Sequence, residues 1–182
     1  MGVPMASSKP CRSEWMNTQA HCSLPRTEGC LIPTTSPFYI ENGQERVHVN
    51  TRSGPGNFHL KPNGVFFVAG DTLGVLETEA YLKQHLRPDL ATQSGPMLVI
   101  NGRLHPRFIH YSASRKRRSG VGTRDNHTTV FAVSDGEVSF QEFGRLFRDD
   151  LKCRNALFLD GGSVPSLYVP SRQARTSCGL GR

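Results

Sequence analysis

No run of about 18 consecutive apolar residues occurs anywhere in the 182 residues, so no segment is long and apolar enough to span a bilayer as a helix. Met1 to Glu14 also lacks the apolar stretch of a secretory signal, since Lys9, Cys11 and Arg12 stand where that stretch would lie. The sequence thus offers no export signal and assigns no compartment. No Cys-x-x-Cys or Cys/His pair has the spacing of a zinc site, and the five cysteines (Cys11, Cys22, Cys30, Cys153, Cys178) read as free thiols. His48, His59, His85, His105, His110 and His127 are scattered without ligand spacing, so surface or core positions are expected for most of them. No metal and no cofactor is expected, and no internal repeat is visible.

Apolar residues make up 36% and charged residues 20%, which allows one modest core in one domain with ragged ends. Gly (18) and Pro (12) favour a chain of strands and loops over a helical bundle. The net charge of +7 comes largely from Arg115-Lys116-Arg117-Arg118 and from the arginines after Pro170. It implies an anionic partner without choosing among nucleic acid, membrane surface and phosphorylated substrate; a solvated basic face would account for it equally.

Three segments differ in character. Residues 1–36 are rich in Ser, Thr, Pro and Cys and are expected to be irregular. Residues 37–170 carry strand and helix signals, and residues 171–182 read as a disordered tail. Within the middle segment Phe38–Ile40 and Arg46–Val49 flank Asn42-Gly43, predicting a hairpin with a loop slightly longer than two residues. Gly64–Val68, Leu73–Leu76 and Met97–Ile100 read as strands, and Glu77–Leu86 as a short helix stopped by Pro88. Thr128–Leu159 is the clearest unit. Thr129–Val133 can be a buried strand, and Ser139-Phe140-Gln141-Glu142 has capping-box form. Phe140, Phe143, Phe147 and Leu151 then follow at helical spacing, and Ala156–Leu159 is a returning strand, expected to lie parallel to the first. The expected fold is α+β: a mixed β-sheet with a few packed helices, including one β-α-β unit near the C-terminus.

Candidate chemistry gathers at four places. Asp160-Gly161-Gly162-Ser163 follows the returning strand: a carboxylate at a strand's end, two glycines that let amides approach an anion, and a hydroxyl. A tight turn held by Asp160 would look the same. Ser114–Gly122 is a basic loop from which at most two cations could reach one phosphate, with Arg favoured over Lys for bidentate contact. Bound to nothing, it could also touch nucleic acid nonspecifically, but no aromatics interleave with its arginines as base stacking prefers, so no specific nucleic-acid partner is expected. Gln93-Ser94-Gly95-Pro96 and Ser134-Asp135-Gly136 are polar turns, each unremarkable alone.

In order, LKPNGVFFV, ETEAYL, ATQSGPMLVINGRLHPRF, SRKRRSGVG, FAVSDGEVSFQEFGRLFRDDLKCRNALFLDGG and SLY resemble the bacterial branch of the phosphodiester glycosidase family. That family is typified by the uncovering enzyme, which removes N-acetylglucosamine from phosphodiester-linked mannose. The resemblance covers roughly 130 residues and implies a mixed α/β domain that hydrolyses a glycosyl-phosphate bond. It implies that Arg118 and Gly122 match an arginine four before a glycine, and that Asp135-Gly136 match an Asp-Gly turn. Glu142 matches a helix glutamate, Gln93–Pro96 a polar Gly-Pro segment, and Asp160–Ser163 an Asp-Gly-rich signature. The roles so implied are Asp160 as essential carboxylate, Arg118 on the phosphate, Glu142 as helix cap or acid, and Gln93, Ser94, Gly95, Asp135, Gly136, Gly161, Gly162 and Ser163 around a phosphorylated glycan or sugar-phosphodiester. Further strands stand upstream in the family where this chain has residues 1–36, so the resemblance implies a domain shortened at its start. An inactive member that binds phosphorylated glycans or envelope polymers is the alternative.

Overall fold

The structure, a computed structural model, describes residues 38–162, and for 160–162 the backbone alone. The irregular segment expected over 1–36, the tail expected over 171–182 and Ser163 lie outside the described residues.

Phe38 opens the described chain, and β1 (Tyr39–Glu41) turns at Asn42-Gly43 into β2 (Gln44–Val47). Glu41 pairs with Gln44, so the loop is the two residues Asn42-Gly43, tighter than the slightly longer loop expected. Both have positive φ (51° and 73°), the geometry of a type I′ turn, which Asn-Gly adopts at little cost. After a loop come β3 (Gly64–Ala69), β4 (Thr72–Glu77), the short helix α1 (Thr78–Lys83) and β5 (Leu90–Ser94). These five strands form one sheet in the order β2-β1-β5-β3-β4. The second sheet comprises β6 (Met97–Ile100), β7 (Arg103–Leu104), β8 (Arg117–Thr123), β9 (Thr129–Val133) and β10 (Asn155–Gly162), ordered β7-β6-β10-β8-β9. Helix α2 (Phe140–Arg145) continues through a π-helical turn, Leu146–Asp150.

Side-chain alternation stacks these elements in layers. Phe66, Val68 and Val75 of the first sheet meet Met97, Val121 and Leu157 of the second, forming the core between sheets. Val65 and Phe67 turn the other way, under Tyr81 of α1. On the outer face of the second sheet Leu98, Val130, Ala156 and Phe158 pack against Phe143 and Phe147 of α2. Gly120 and Gly122 allow this contact: a Cβ on Gly122 would lie 2.7 Å from the Phe147 ring and 2.8 Å from Cys153 Sγ.

The expected α+β class with a mixed sheet is corrected by this architecture: the chain is mostly β, in two five-stranded sheets whose pairings are all antiparallel, with the helices on the outer faces. β9 and β10 do run in one direction, but β8 lies between them and pairs antiparallel with each, so they are not the adjacent parallel strands of a β-α-β unit. The difference arises in Arg117–Thr123, whose charge and glycines read as a loop. Gly120 and Gly122 leave room for aromatic rings, and Arg118 is buried, so the stretch becomes a central strand.

Candidate functional site

The residues singled out in the sequence meet at one end of the sandwich, where β5 and β10 finish and β3 and β8 begin. Ser94 donates its hydroxyl to the Leu159 carbonyl (3.0 Å), joining the end of the first sheet to β10. Gln93 and Ser94 close a strand that the sequence disguised as a polar turn. Gly95 follows as a cis peptide with Pro96, and its backbone passes so close to Phe58 that a Cβ would sit 2.7 Å from that carbonyl oxygen.

Gln93 is buried and serves a polar network that the sequence did not reveal. Its Nε2 donates to the Asn50 carbonyl (2.9 Å) and to Thr78 Oγ1 (3.1 Å), while its Oε1 accepts the Asn50 N–H (2.9 Å). Thr78 in turn donates to Asn63 Oδ1 (2.9 Å). A primary amide has donors and acceptor enough to tie three backbone segments together, which makes this corner rigid. A cleft of about 240 Å³ opens beside it, edged by Lys61, Glu77 and Glu79.

Arg118 is the most unusual side chain of the site. It is only 1% exposed, and its guanidinium carbon lies 3.6 Å from the centre of the Phe140 ring. Its Nε donates to the Val138 carbonyl (2.9 Å) and its Nη2 to the Ser114 carbonyl (3.1 Å). Its backbone is fixed as well, since its N–H donates to Ser134 Oγ (2.9 Å) and its carbonyl accepts from Ser134 N–H (2.9 Å). Burial works against the charge and pushes the pKa down, yet a guanidinium stays protonated in proteins. Nη1 has no hydrogen-bond partner among the described residues. Phe140 also stacks on Phe108 (5.4 Å, 11°), and Phe108 on His105 (4.8 Å, 20°), so the guanidinium caps a column of flat rings. His105 is a core histidine; burial, opposed by the Lys61 and Leu60 carbonyls, holds its pKa below the usual value.

Glu142 sits at the start of α2 as both cap and ion-pair partner. Its Oε2 accepts from Ser139 N–H (2.8 Å) and Ser139 Oγ (2.9 Å), while the Ser139 hydroxyl accepts the Glu142 N–H (3.2 Å). Arg115 donates to the same carboxylate at 2.9–3.0 Å. Burial would raise the Glu142 pKa, but Ser139 and Arg115 outweigh it and hold the carboxyl below its ordinary value. Of the four consecutive cations, then, Arg115 is engaged by Glu142 and Arg118 is buried. Asp135 and Gly136 form an exposed turn after β9, beside the buried Ser134.

The DGG stretch continues β10 as strand instead of turning at Asp160. Its register sets Asp160 across from Ser119 and Gly161 across from Arg118, with an irregularity between Phe158 and Asp160. The structure therefore brings Gln93, Ser94, Gly95, Arg118 and the backbone of Asp160 to Gly162 to one end of the fold, with Glu142 held at the start of α2 behind Arg118. Asn63, Thr78 and Phe140 belong to the same end. The sequence carried a signal for Phe140 alone, as the first apolar residue after an N-cap serine, and it gave no hint that the ring holds an arginine. Among the described residues no three His, Cys, Asp or Glu side chains converge as a metal site would require, and no helix is long and apolar enough to cross a membrane.

A crystal structure of a hypothetical protein from Synechocystis resembles the chain weakly (TM-score 0.38, 16% identity, 72% of this chain and 37% of the other). The uncharacterized protein YigE of Escherichia coli (strain K12) is 38% identical over 156 residues, 85% of this chain. The chain spans 61% of the length of that relative. The phosphodiester glycosidase model matches residues 19–180, a span that contains every element described above, and the chain belongs to the phosphodiester glycosidase family.

Proposed function

We propose that the protein hydrolyses a glycosyl-phosphate bond, releasing a sugar from a sugar-1-phosphodiester, with Arg118 on the phosphate side and Asp160 as the essential carboxylate. The observation that carries this reading is the dry guanidinium at the start of β8, in register one residue from Asp160 on the neighbouring strand. A cation held by Phe140 and two carbonyls, with Nη1 left over, is an oriented anion receptor whose interaction is strengthened by exclusion of water. Family membership supports the substrate class, a phosphorylated glycan.

The leaving group in such a reaction is a phosphate monoester, already a weak base, so little protonation of its oxygen is needed. The demands on the site are a cation for phosphate charge and a carboxylate for the sugar side or for the attacking water. In this reading Gln93, Ser94 and Gly95 shape one wall, Asp135-Gly136 border the opening, and Gly161, Gly162 and Ser163 present amides and a hydroxyl to the phosphate. Glu142 orients Arg115 and caps α2, which places Phe140 under Arg118.

A panel of sugar-1-phosphodiesters, assayed for free sugar with this chain and with a form extended upstream, tests the reading. Turnover is expected in at least the longer form, and Asp160→Asn should lower it by 10³-fold or more, roughly 4 kcal/mol of transition-state stabilisation. Unchanged turnover in Asp160→Asn would remove that residue from the chemistry. No turnover by either form, with phosphorylated glycan still bound, would leave a binding module.

A further inference from the structure

At the opposite end of the sandwich the edge strand β4 and the β8–β9 loop border an open groove of about 600 Å³, within the range of small-ligand sites. It is well formed. Leu73 N–H donates to the Asn126 carbonyl (2.9 Å), His127 Nδ1 donates to the Asp71 carbonyl (3.1 Å), and Asp125 accepts the His127 N–H (2.8 Å). These bonds lock the loop against β4, and they direct the loop's one carboxylate back onto its own backbone.

Several of the groove's remaining side chains have donors to spare. Arg124 commits Nε to the Leu151 carbonyl (2.7 Å), leaving its Nη atoms without partners among the described residues. Arg154 is exposed, and its side chain has no hydrogen bond or ion pair among the described residues. Asn155 uses Oδ1 to accept the Asn101 N–H (2.8 Å), which leaves its amide nitrogen to donate. Gln84 adds a second amide. Gly74 gives a wall without a side chain, over which the Phe67 ring lies. Two guanidinium groups match a phosphate, and amides along a flat wall match sugar hydroxyls. A peptide strand fits less well: β4 could offer its outward backbone groups to one, but the outward N–H of Leu73 is already taken, leaving too short a ladder.

We propose that this groove is a second recognition site, taking a phosphorylated saccharide. It lies a strand's length from the candidate active site, roughly 20 Å along β8. The saccharide half of this assignment rests on the proposed substrate class, whereas the anion half stands on the groove alone. A polymer with repeated phosphates would touch both ends of the fold, and holding it at one end would raise its effective concentration at the other.

Amide chemical shifts of the whole chain, followed during separate titrations with glucose 1-phosphate, inorganic phosphate and methyl glucoside, test this site. Glucose 1-phosphate should shift the amides of Val75, Asn126 and Asn155, and bind at least fivefold tighter than inorganic phosphate. Methyl glucoside should leave them in place. Arg154→Ala should weaken the glucose 1-phosphate shifts tenfold, Arg118→Leu should preserve them, and release of sugar from a small diester should be the same in Arg154→Ala as in the parent. Groove amides that do not move, that move equally in Arg154→Ala, or that respond as strongly to inorganic phosphate would overturn the assignment, whatever the outcome of the cleavage assay.

Discussion

A guanidinium stacked on an aromatic ring and almost wholly buried carries its charge in a medium far less screening than water, and that governs what Arg118 can do. Phe140 and the carbonyls of Val138 and Ser114 fix both its plane and its direction, which a flexible ammonium would not match. Arg118→Lys should therefore behave as a loss of function, not as a conservative change. It removes the guanidinium's hydrogen bonds to the Val138 and Ser114 carbonyls, charge-assisted bonds of about 1.5–3 kcal/mol each, and urea denaturation should register the loss even if the charge is kept. Glu142 gives a second expectation at this scale. Its carboxyl pKa lies below the ordinary value in the folded protein, so its contribution is present above the unfolded-state pKa and is lost as pH falls through the folded one. Glu142→Gln should lower the melting temperature at neutral pH, and the gap between variant and parent should close on acidification below about pH 4. A gap independent of pH would mean that the capping geometry, not the charge, stabilises α2.

Among the elements, α2 and its neighbours show where sequence information was sufficient. Ser139 and Glu142 announced a cap, and Phe140, Phe143 and Phe147 announced one apolar face; both signals are local and both describe the helix that forms. Asn42-Gly43 announced a hairpin for the same reason, although the turn is one size tighter than expected. β5 and β8 are hidden in the sequence because their reasons for being strands are not local. Gln93 is tolerated in a strand by partners in the loops around Asn50 and Asn63, and Arg118 by rings contributed from α2 and β10. β8 lies between β9 and β10 and pairs antiparallel with both, an arrangement that the loop-like composition of Arg117–Thr123 hides. The candidate residues were legible as types at the ends of strands; the stack holding Arg118 and the network around Gln93 were not. Gly122 makes the long-range argument testable. Gly122→Ala would press a methyl into Phe147 and Cys153, and overpacking of this kind costs about 1–3 kcal/mol, to be read from urea midpoints. A neutral result would mean that α2 can lift from the sheet, leaving Arg118 less firmly stacked than described.

For the whole molecule, two antiparallel sheets face to face supply a rigid frame with different chemistry at its two ends. One end gathers Gln93, Arg118 and the DGG strand; the other gathers Arg124, Arg154 and the loop pinned to β4. The net charge of +7 fits an anionic substrate that meets the protein at more than one point. Hydrolysis in ¹⁸O-labelled water puts the central claim to the most direct test, because it identifies which bond of the diester is cut. The account predicts that a sugar-1-phosphodiester turned over by the upstream-extended chain yields label at the anomeric hydroxyl of the released sugar and none in the phosphate monoester. Label in the phosphate would make the protein a phosphodiesterase acting at phosphorus, and would contradict the roles given to Arg118 and Asp160.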